Sequence, residues 1–140
     1  GDGRLKLADA KDYYDLIVVD AFSSDAIPIH LVTLEAMKVY FSKITASGLV
    51  AFHISNRYVD LEPVLLNLAN AMGLGYAIRK DVGDDATGKG ASTWVVLAAN
   101  NGLFDKVAVN DNRWSGLETK PGVGLWRDDF ANVARAFLWQ

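Results

Sequence analysis

The feature of this sequence that most constrains its fold is a short apolar run at residues 16–19, Leu-Ile-Val-Val, which ends at Asp20. A continuous apolar run rich in β-branched residues is typical of a strand that is buried on both faces of a parallel sheet. In open α/β sheets, ligands bind beyond the carboxyl ends of the strands. Asp20 is therefore a candidate active-site residue at the end of a buried strand.

Helical and strand patterns alternate after this run. Apolar residues recur at helical spacing from Leu34 to Ile44, Thr33 is a suitable N-cap, and Gly48 lies beyond the predicted helix end. Residues 49–54 form the next apolar run and predict a second strand. The alternation favours the α/β class.

A second helical stripe covers residues 61–72, with Asp60 as a candidate cap and Gly73 as the terminator. Residues 76–79 and 93–98 predict the third and fourth strands. A parallel return between neighbouring strands normally needs a helical crossover, and the loop between these two has no helical pattern. We therefore expect the third and fourth strands to pair antiparallel.

Two weaker patterns lie nearer the C-terminus. A short helix is predicted around residues 104–107, and Asp128 is a candidate cap for a last helix. The segment between them is rich in Asn, Gly and Pro and shows little periodicity. With 140 residues, of which 51% are apolar, one domain is expected.

Composition excludes several kinds of function. The sequence has no cysteine, which excludes disulfides and thiol ligands and favours a reducing cytoplasm. A formal charge of −3 without a Lys or Arg block argues against a nucleic-acid partner. No apolar run reaches the roughly 18 residues that a membrane span needs. His30 and His53 show no metal-ligand spacing, so we expect no metal.

The loop after Asp20 is rich in polar side chains. Ser23, Ser24 and Asp25 add two hydroxyls and a second carboxylate, which suit the binding of an amine or a ribose. Alternatively, Asp20 and Asp25 only organise the turn and accept local backbone hydrogen bonds. His53, at the exit of the second strand, either lines the same cleft as Asp20 or belongs to plain loop structure.

Three blocks at matching spacing carry a family resemblance: GDGR at residues 1–4, YDLIVVD at residues 14–20, and the Ser-Ser-Asp loop that ends at Pro28. Together they resemble the polyamine aminopropyltransferases, the spermidine synthase family, and the tail at residues 126–130 is similar to bacterial spermidine-synthase-like proteins. That family has the Rossmann-like architecture of class I S-adenosylmethionine-dependent methyltransferases. The resemblance implies that residues 1–140 are the C-terminal half of such a domain, a three-layer, mostly parallel sheet with one antiparallel strand.

The resemblance also implies roles for individual residues. Asp2 and Gly3 would contact the adenine side of decarboxylated S-adenosylmethionine, and Pro28 would line the same pocket. Asp20 would accept the proton that leaves the attacking amine of putrescine. The residues that would bind this substrate beside Asp20 are Ser23, Ser24 and Asp25.

Two departures from the family pattern affect these expectations. Four residues separate Asp20 from Asp25, whereas the family places two residues between its paired aspartates. The Gly-rich loop, the acidic residue that holds the ribose and the N-terminal hairpin domain of the family have no counterpart in these residues. We therefore expect the isolated chain to be inactive and the transfer activity to belong to a parent protein.

Three alternatives for function and assembly follow from the sequence. The same cofactor class would also suit an S-adenosylmethionine-dependent methyltransferase, because fold does not determine function. The domain could instead be non-catalytic and serve assembly or regulation. If residues 1–140 are a fragment of the family domain, the first strand would present an unpaired edge where the missing first strand belongs, which favours a homodimer or a larger assembly.

Overall fold

The computed structural model describes residues 2–22, 28–56, 58–99 and 111–129. The helices are α1 (Gly3–Asp9), α2 (Leu34–Ser42) and α3 (Glu62–Met72), and a 3-10 turn covers Ile29–Leu31. The strands are β1 (Tyr14–Val19), β2 (Ile44–His53), β3 (Gly75–Asp81), β4 (Ser92–Ala98) and β5 (Trp114–Ser115).

The strands form one mixed sheet in the order β1-β2-β4-β3-β5. Among the described residues, only β1 and β2 pair in parallel, and the other three pairings are antiparallel. The prediction of a mostly parallel, Rossmann-like sheet is therefore wrong. The prediction that residues 16–19 form a strand buried on both faces is also wrong, because β1 lies at an edge of the described sheet, where Leu16 and Val18 are 54% and 52% exposed. Although β3 runs in the same direction as β2, β4 lies between them and opposes both, so a second parallel pair does not form between them.

The antiparallel pairing of the third and fourth predicted strands is confirmed. Their register extends from the Gly75–Ala98 pair to the Asp81–Ser92 pair. The connection between β3 and β4 consists of turns around an Asp84–Lys89 bridge, without a helix. A connection of this kind returns the chain beside the strand it has just left, because no crossover carries it over the sheet.

Two helix-end predictions are confirmed and two are wrong. The Thr33 hydroxyl accepts a hydrogen bond from the Ala36 amide, and Gly73 ends α3 in the left-handed conformation, with φ of 64°. However, α2 ends at Ser42, and Ile44 begins β2. Ile44 fits the helical spacing of its neighbours, but it belongs to a strand, and its side chain is buried in the core from that position. In addition, the N-cap of α3 is Leu61 rather than Asp60, although Asp60 accepts a hydrogen bond of 3.1 Å from the Glu62 amide.

Gly48 lies inside β2 rather than after a helix. A Cβ atom at this position would lie 2.9 Å from Ile44 Cγ2 and 3.0 Å from the carbonyl oxygen of Asp15. The β1–β2 register is irregular here, between Tyr14 and Leu16. Glycine therefore permits a close backbone approach at an irregularity in the sheet.

The main core lies between one face of the sheet and the helices. Phe52 and Val50 of β2, together with Val95 and Leu97 of β4, are fully buried there against α2 and α3. This packing fixes the carboxyl ends of β1 and β2 side by side, since Val19 pairs with Phe52. A smaller buried cluster on strand residues consists of Ala51, Ala77, Val96 and Ala98.

The helices predicted around residues 104–107 and after Asp128 fall on segments 100–110 and 130–140, which lie outside the described residues. Within the described ranges, no helix is long and apolar enough to cross a membrane.

Candidate functional site

Asp20 directly follows β1 and borders a pocket of about 710 Å³. The pocket lies among α1, the carboxyl end of β1 and the segment that leads into α2. Its apolar wall includes Leu7, Ile17, Val18, Val19 and Leu31. Its polar groups include Asp2, Arg4, Asp20, His30 and Tyr40.

The structure brings four residues singled out in the sequence to this one pocket. Asp2, Gly3, Asp20 and Pro28 all line it, although they come from three separate segments of the chain. Ser23, Ser24 and Asp25 fall on residues 23–27, outside the described part of the chain.

Asp2 is positioned as the N-cap of α1, a helix that we did not predict from the GDGR block. Its carboxylate accepts a hydrogen bond of 2.9 Å from the Arg4 amide. The same oxygen, Oδ1, lies 3.6 Å from Nε2 of His30. Capping thus explains why an Asp begins this segment, and it also holds the carboxylate at the pocket.

Arg4 anchors α1 to the rest of the domain through side-chain hydrogen bonds. Its guanidinium donates two hydrogen bonds of 2.8 Å to the two carboxylate oxygens of Asp128 and a third to the carbonyl oxygen of His30. The Thr33 hydroxyl donates to the same Asp128 carboxylate at 2.7 Å. Bidentate pairing of this kind fixes geometry as well as charge, so Arg4 sets the position of one pocket wall.

The Arg4 hydrogen bonds lower the pKa of Asp128 to about 2, from an ordinary value of 3.8. A carboxyl group whose pKa is lower in the folded state stabilises the fold above its unfolded pKa. This contribution is lost as the pH falls from about 4 to about 2. Asp128 therefore links the stability of the α1 wall to pH in the acidic range.

We expect Asp128→Asn to lower the free energy of unfolding by roughly 1 kcal/mol at pH 7, the upper end for a partly exposed pair. Asparagine keeps the shape of the side chain but loses its charge. The difference from wild type should shrink as the pH falls below about 4, where wild-type Asp128 itself begins to be protonated. Urea unfolding at pH 7 and pH 3 measures both effects. Asp129→Asn, which removes the same charge at the next position, is the control, and an equal pH-dependent loss in that variant would contradict the assignment.

Tyr40 forms part of the deep wall of the pocket. Its hydroxyl donates a hydrogen bond of 2.9 Å to the carbonyl oxygen of Leu31, and its ring packs edge-on against Phe52. Burial raises the pKa of Tyr40 well above its usual range, so the phenol stays neutral. Tyr40 can therefore offer apolar surface and a neutral hydroxyl at this site.

His53 contacts Asp20 directly without bordering the pocket, so it neither lines the cleft nor belongs to a loop, the two interpretations that the sequence left open. His53 is the last residue of β2, and its Nδ1 lies 2.9 Å from Asp20 Oδ1. The imidazole ring also stacks on Trp94, with ring centroids 4.7 Å apart. The parallel pairing of β1 and β2 creates the contact, because it brings the two strand ends together.

The arrangement combines carboxylates with apolar walls. Asp20 and Asp2 supply negative charge at the pocket, while the charge of Arg4 is paired with Asp128. Such a site suits a cationic ligand that also carries apolar or aromatic surface. Arg4, His30 and Tyr40 were not identified from the sequence as pocket residues, although Arg4 stands next to Asp2 and Gly3 in the GDGR block.

Comparison of the chain with protein-family models and with curated proteins found no match. The functional argument therefore depends on the residues of the pocket.

Proposed function

We propose that this chain supplies the amine-activating carboxylate and part of the cofactor pocket of a spermidine-synthase-like aminopropyltransferase. One observation carries the proposal: Asp2, Gly3, Asp20 and Pro28 border a single pocket. These are the positions that the family resemblance connects with decarboxylated S-adenosylmethionine and the acceptor amine. The proposal depends on this convergence and not on the pairing of the sheet.

The charges of the pocket support the proposed substrates. Decarboxylated S-adenosylmethionine carries a sulfonium, and putrescine is a cation in neutral solution, so both are attracted by the carboxylates of Asp2 and Asp20. In the proposed reaction Asp20 accepts a proton from the amine, whose nitrogen then attacks the carbon beside the sulfonium. The carbon–sulfur bond breaks and sulfur keeps the electron pair. Such a displacement requires orientation and a base, and it needs no metal.

The test is a transfer assay on the protein as its gene encodes it, with putrescine and decarboxylated S-adenosylmethionine as substrates. We expect spermidine to form, and its absence from a correctly folded protein would reject the proposal. The isolated residues 1–140 are expected to be inactive. Because the sequence contains no cysteine, the proposed compartment is the cytoplasm.

Calorimetry distinguishes this proposal from methyl transfer. An aminopropyltransferase should bind decarboxylated S-adenosylmethionine more tightly than S-adenosylmethionine. The reason is that S-adenosylmethionine keeps a carboxylate, which the carboxylates of Asp2 and Asp20 at the pocket would repel. The opposite order of affinities would favour a methyltransferase.

We also propose that residues 1–140 by themselves form a homodimer through the free edge of β1. In the described part of the chain β1 pairs only with β2, and Leu16 and Tyr13 beside that edge are 54% and 70% exposed. Unpaired edges with exposed apolar side chains favour strand addition. Leu16→Lys should therefore shift the protein from dimer to monomer in light scattering after gel filtration. Val82→Lys, at a side chain that is 91% exposed after β3, should leave the dimer intact. A monomeric wild type, or a Leu16→Lys dimer, would contradict the proposal.

A further inference from the structure

The imidazole of His53 is held between two groups at the carboxyl end of β2. On one side Nδ1 lies 2.9 Å from Asp20 Oδ1, and on the other the ring stacks on Trp94 at an interplanar angle of 18°. Only 21% of the His53 side chain is exposed, compared with 53% for Asp20. The histidine is thus more enclosed than the carboxylate it contacts.

The sheet itself explains why the ring takes this orientation. His53 pairs directly with Trp94 in the antiparallel β2–β4 ladder, so their side chains lie on the same face of the sheet. Stacking on the indole restricts rotation of the imidazole about its last side-chain bond. Nδ1 is consequently aimed at the end of β1, where Asp20 begins the loop.

The contact leaves Asp20 able to act on a substrate. A carboxylate has two acceptor oxygens, and His53 approaches Oδ1. Asp20 also borders the 710 Å³ pocket, whereas the His53 ring lies toward Trp94. His53 therefore acts on the site through Asp20 rather than by touching a ligand.

We propose that His53 is the positioning residue of the Asp20 carboxylate. Its Nδ1–H donates to Oδ1, and Trp94 holds the ring, so that Oδ2 is directed toward the acceptor amine. The inference rests on the proposed function. In the transfer step the amine proton moves to Oδ2 and the nitrogen lone pair forms the new carbon–nitrogen bond. The carbon–sulfur pair departs with sulfur.

Substitutions at residue 53 test this role. His53→Ala should lower kcat by about 10- to 100-fold with a smaller change in KM, because a displaced base mainly affects the reacting geometry. His53→Asn should recover most of the loss, since its amide can donate from nearly the place of Nδ1. His53→Gln places its amide nearer the position of Nε2 and should not recover it. Thermal unfolding of each variant shows whether the fold is kept.

The same inference predicts a spectroscopic result that does not require activity. The sequence has two histidines, so their ring nitrogens are readily assigned by 15N NMR. At alkaline pH, His53 should be the Nδ1–H tautomer, and Asp20→Ala should shift it toward the Nε2–H form. An Nε2–H tautomer in wild type would overturn the inference, because that ring could not donate to Asp20.

The outcomes separate the two proposals. If wild type transfers the aminopropyl group and His53→Ala is equally active, or His53→Asn is no better than His53→Ala, the positioning role is wrong while the proposed function stands. If wild type forms no spermidine but shows the Asp20-dependent Nδ1–H tautomer, the hydrogen bond stands. The proposed function, and with it the role in catalysis, is then rejected.

Discussion

Asp20→Asn is expected to lower kcat/KM for aminopropyl transfer by about 10²- to 10⁴-fold, the range over which a positioned general base contributes. Asparagine preserves the size of the side chain and an oxygen acceptor for His53, but it cannot take a proton from the amine. Steady-state kinetics with putrescine and decarboxylated S-adenosylmethionine measures the effect. Because Asp20 is half exposed, the substitution should change the unfolding free energy by less than about 0.5 kcal/mol.

Asp15→Asn is the matched control for this experiment. Asp15 lies on β1, the strand that precedes Asp20, and accepts a hydrogen bond from the Thr45 hydroxyl. The substitution therefore removes one nearby carboxylate that does not border the pocket. It should leave kcat/KM within about twofold of wild type. Full transfer activity in Asp20→Asn would exclude Asp20 as the base. An unchanged biological activity in that variant would favour a domain that serves assembly or regulation.

Phe52→Ala is expected to lower the free energy of unfolding by about 3–5 kcal/mol, which is the usual cost of removing a buried phenylalanine. Phe52 is fully buried in β2, pairs with Val19 and Val95 on the two neighbouring strands, and packs edge-on against Tyr40 with ring centroids 6.0 Å apart. Its removal opens a cavity between the sheet and α2. Because Phe52 precedes His53, the same change should also loosen the end of β2 that supports Asp20.

Urea unfolding followed by circular dichroism measures this loss. Val82→Ala serves as the control, since Val82 is also apolar but 91% exposed, and its truncation should change stability by no more than about 0.5 kcal/mol. If Phe52→Ala lowered the free energy of unfolding by less than about 1 kcal/mol, the neighbouring side chains would have to move in and fill the cavity. That result would contradict the tight packing described for the core.

Local patterns were sufficient where the controlling interaction is itself local. Thr33 caps α2 with a hydrogen bond to an amide three residues away, and Gly73 ends α3 because it adopts a positive φ without strain. The same reasoning failed at Ile44, whose helical spacing to Phe41 and Met37 is coincidental. Its place in β2 depends on pairing with Tyr14, thirty residues earlier in the chain, which no local pattern reports.

The candidate site shows the same division. The position of Asp20 directly after a strand was predicted, although that strand is not buried. Asp2, Gly3 and Pro28, which the family resemblance connects with the cofactor, border the same pocket as Asp20. The contact between Asp20 and His53 was not predicted, because it depends on the register of β1 against β2. The anchoring of α1 by Arg4 and Asp128 was not predicted, since these residues lie 124 positions apart.

By itself, the sequence determined that this chain alternates strands and helices, that the third and fourth strands form an antiparallel pair, and that Asp20 directly follows a strand. Apolar periodicity and the preferences of residues for turns act over a few residues, so they can be recognised in the sequence. Only the tertiary structure decided that β4 lies between β2 and β3 and that β5 pairs with β3, so that three of the four pairings among the described strands are antiparallel. It also decided that His53 contacts Asp20. Both depend on backbone hydrogen bonds and packing between segments far apart in the chain, which form only when the whole core is assembled.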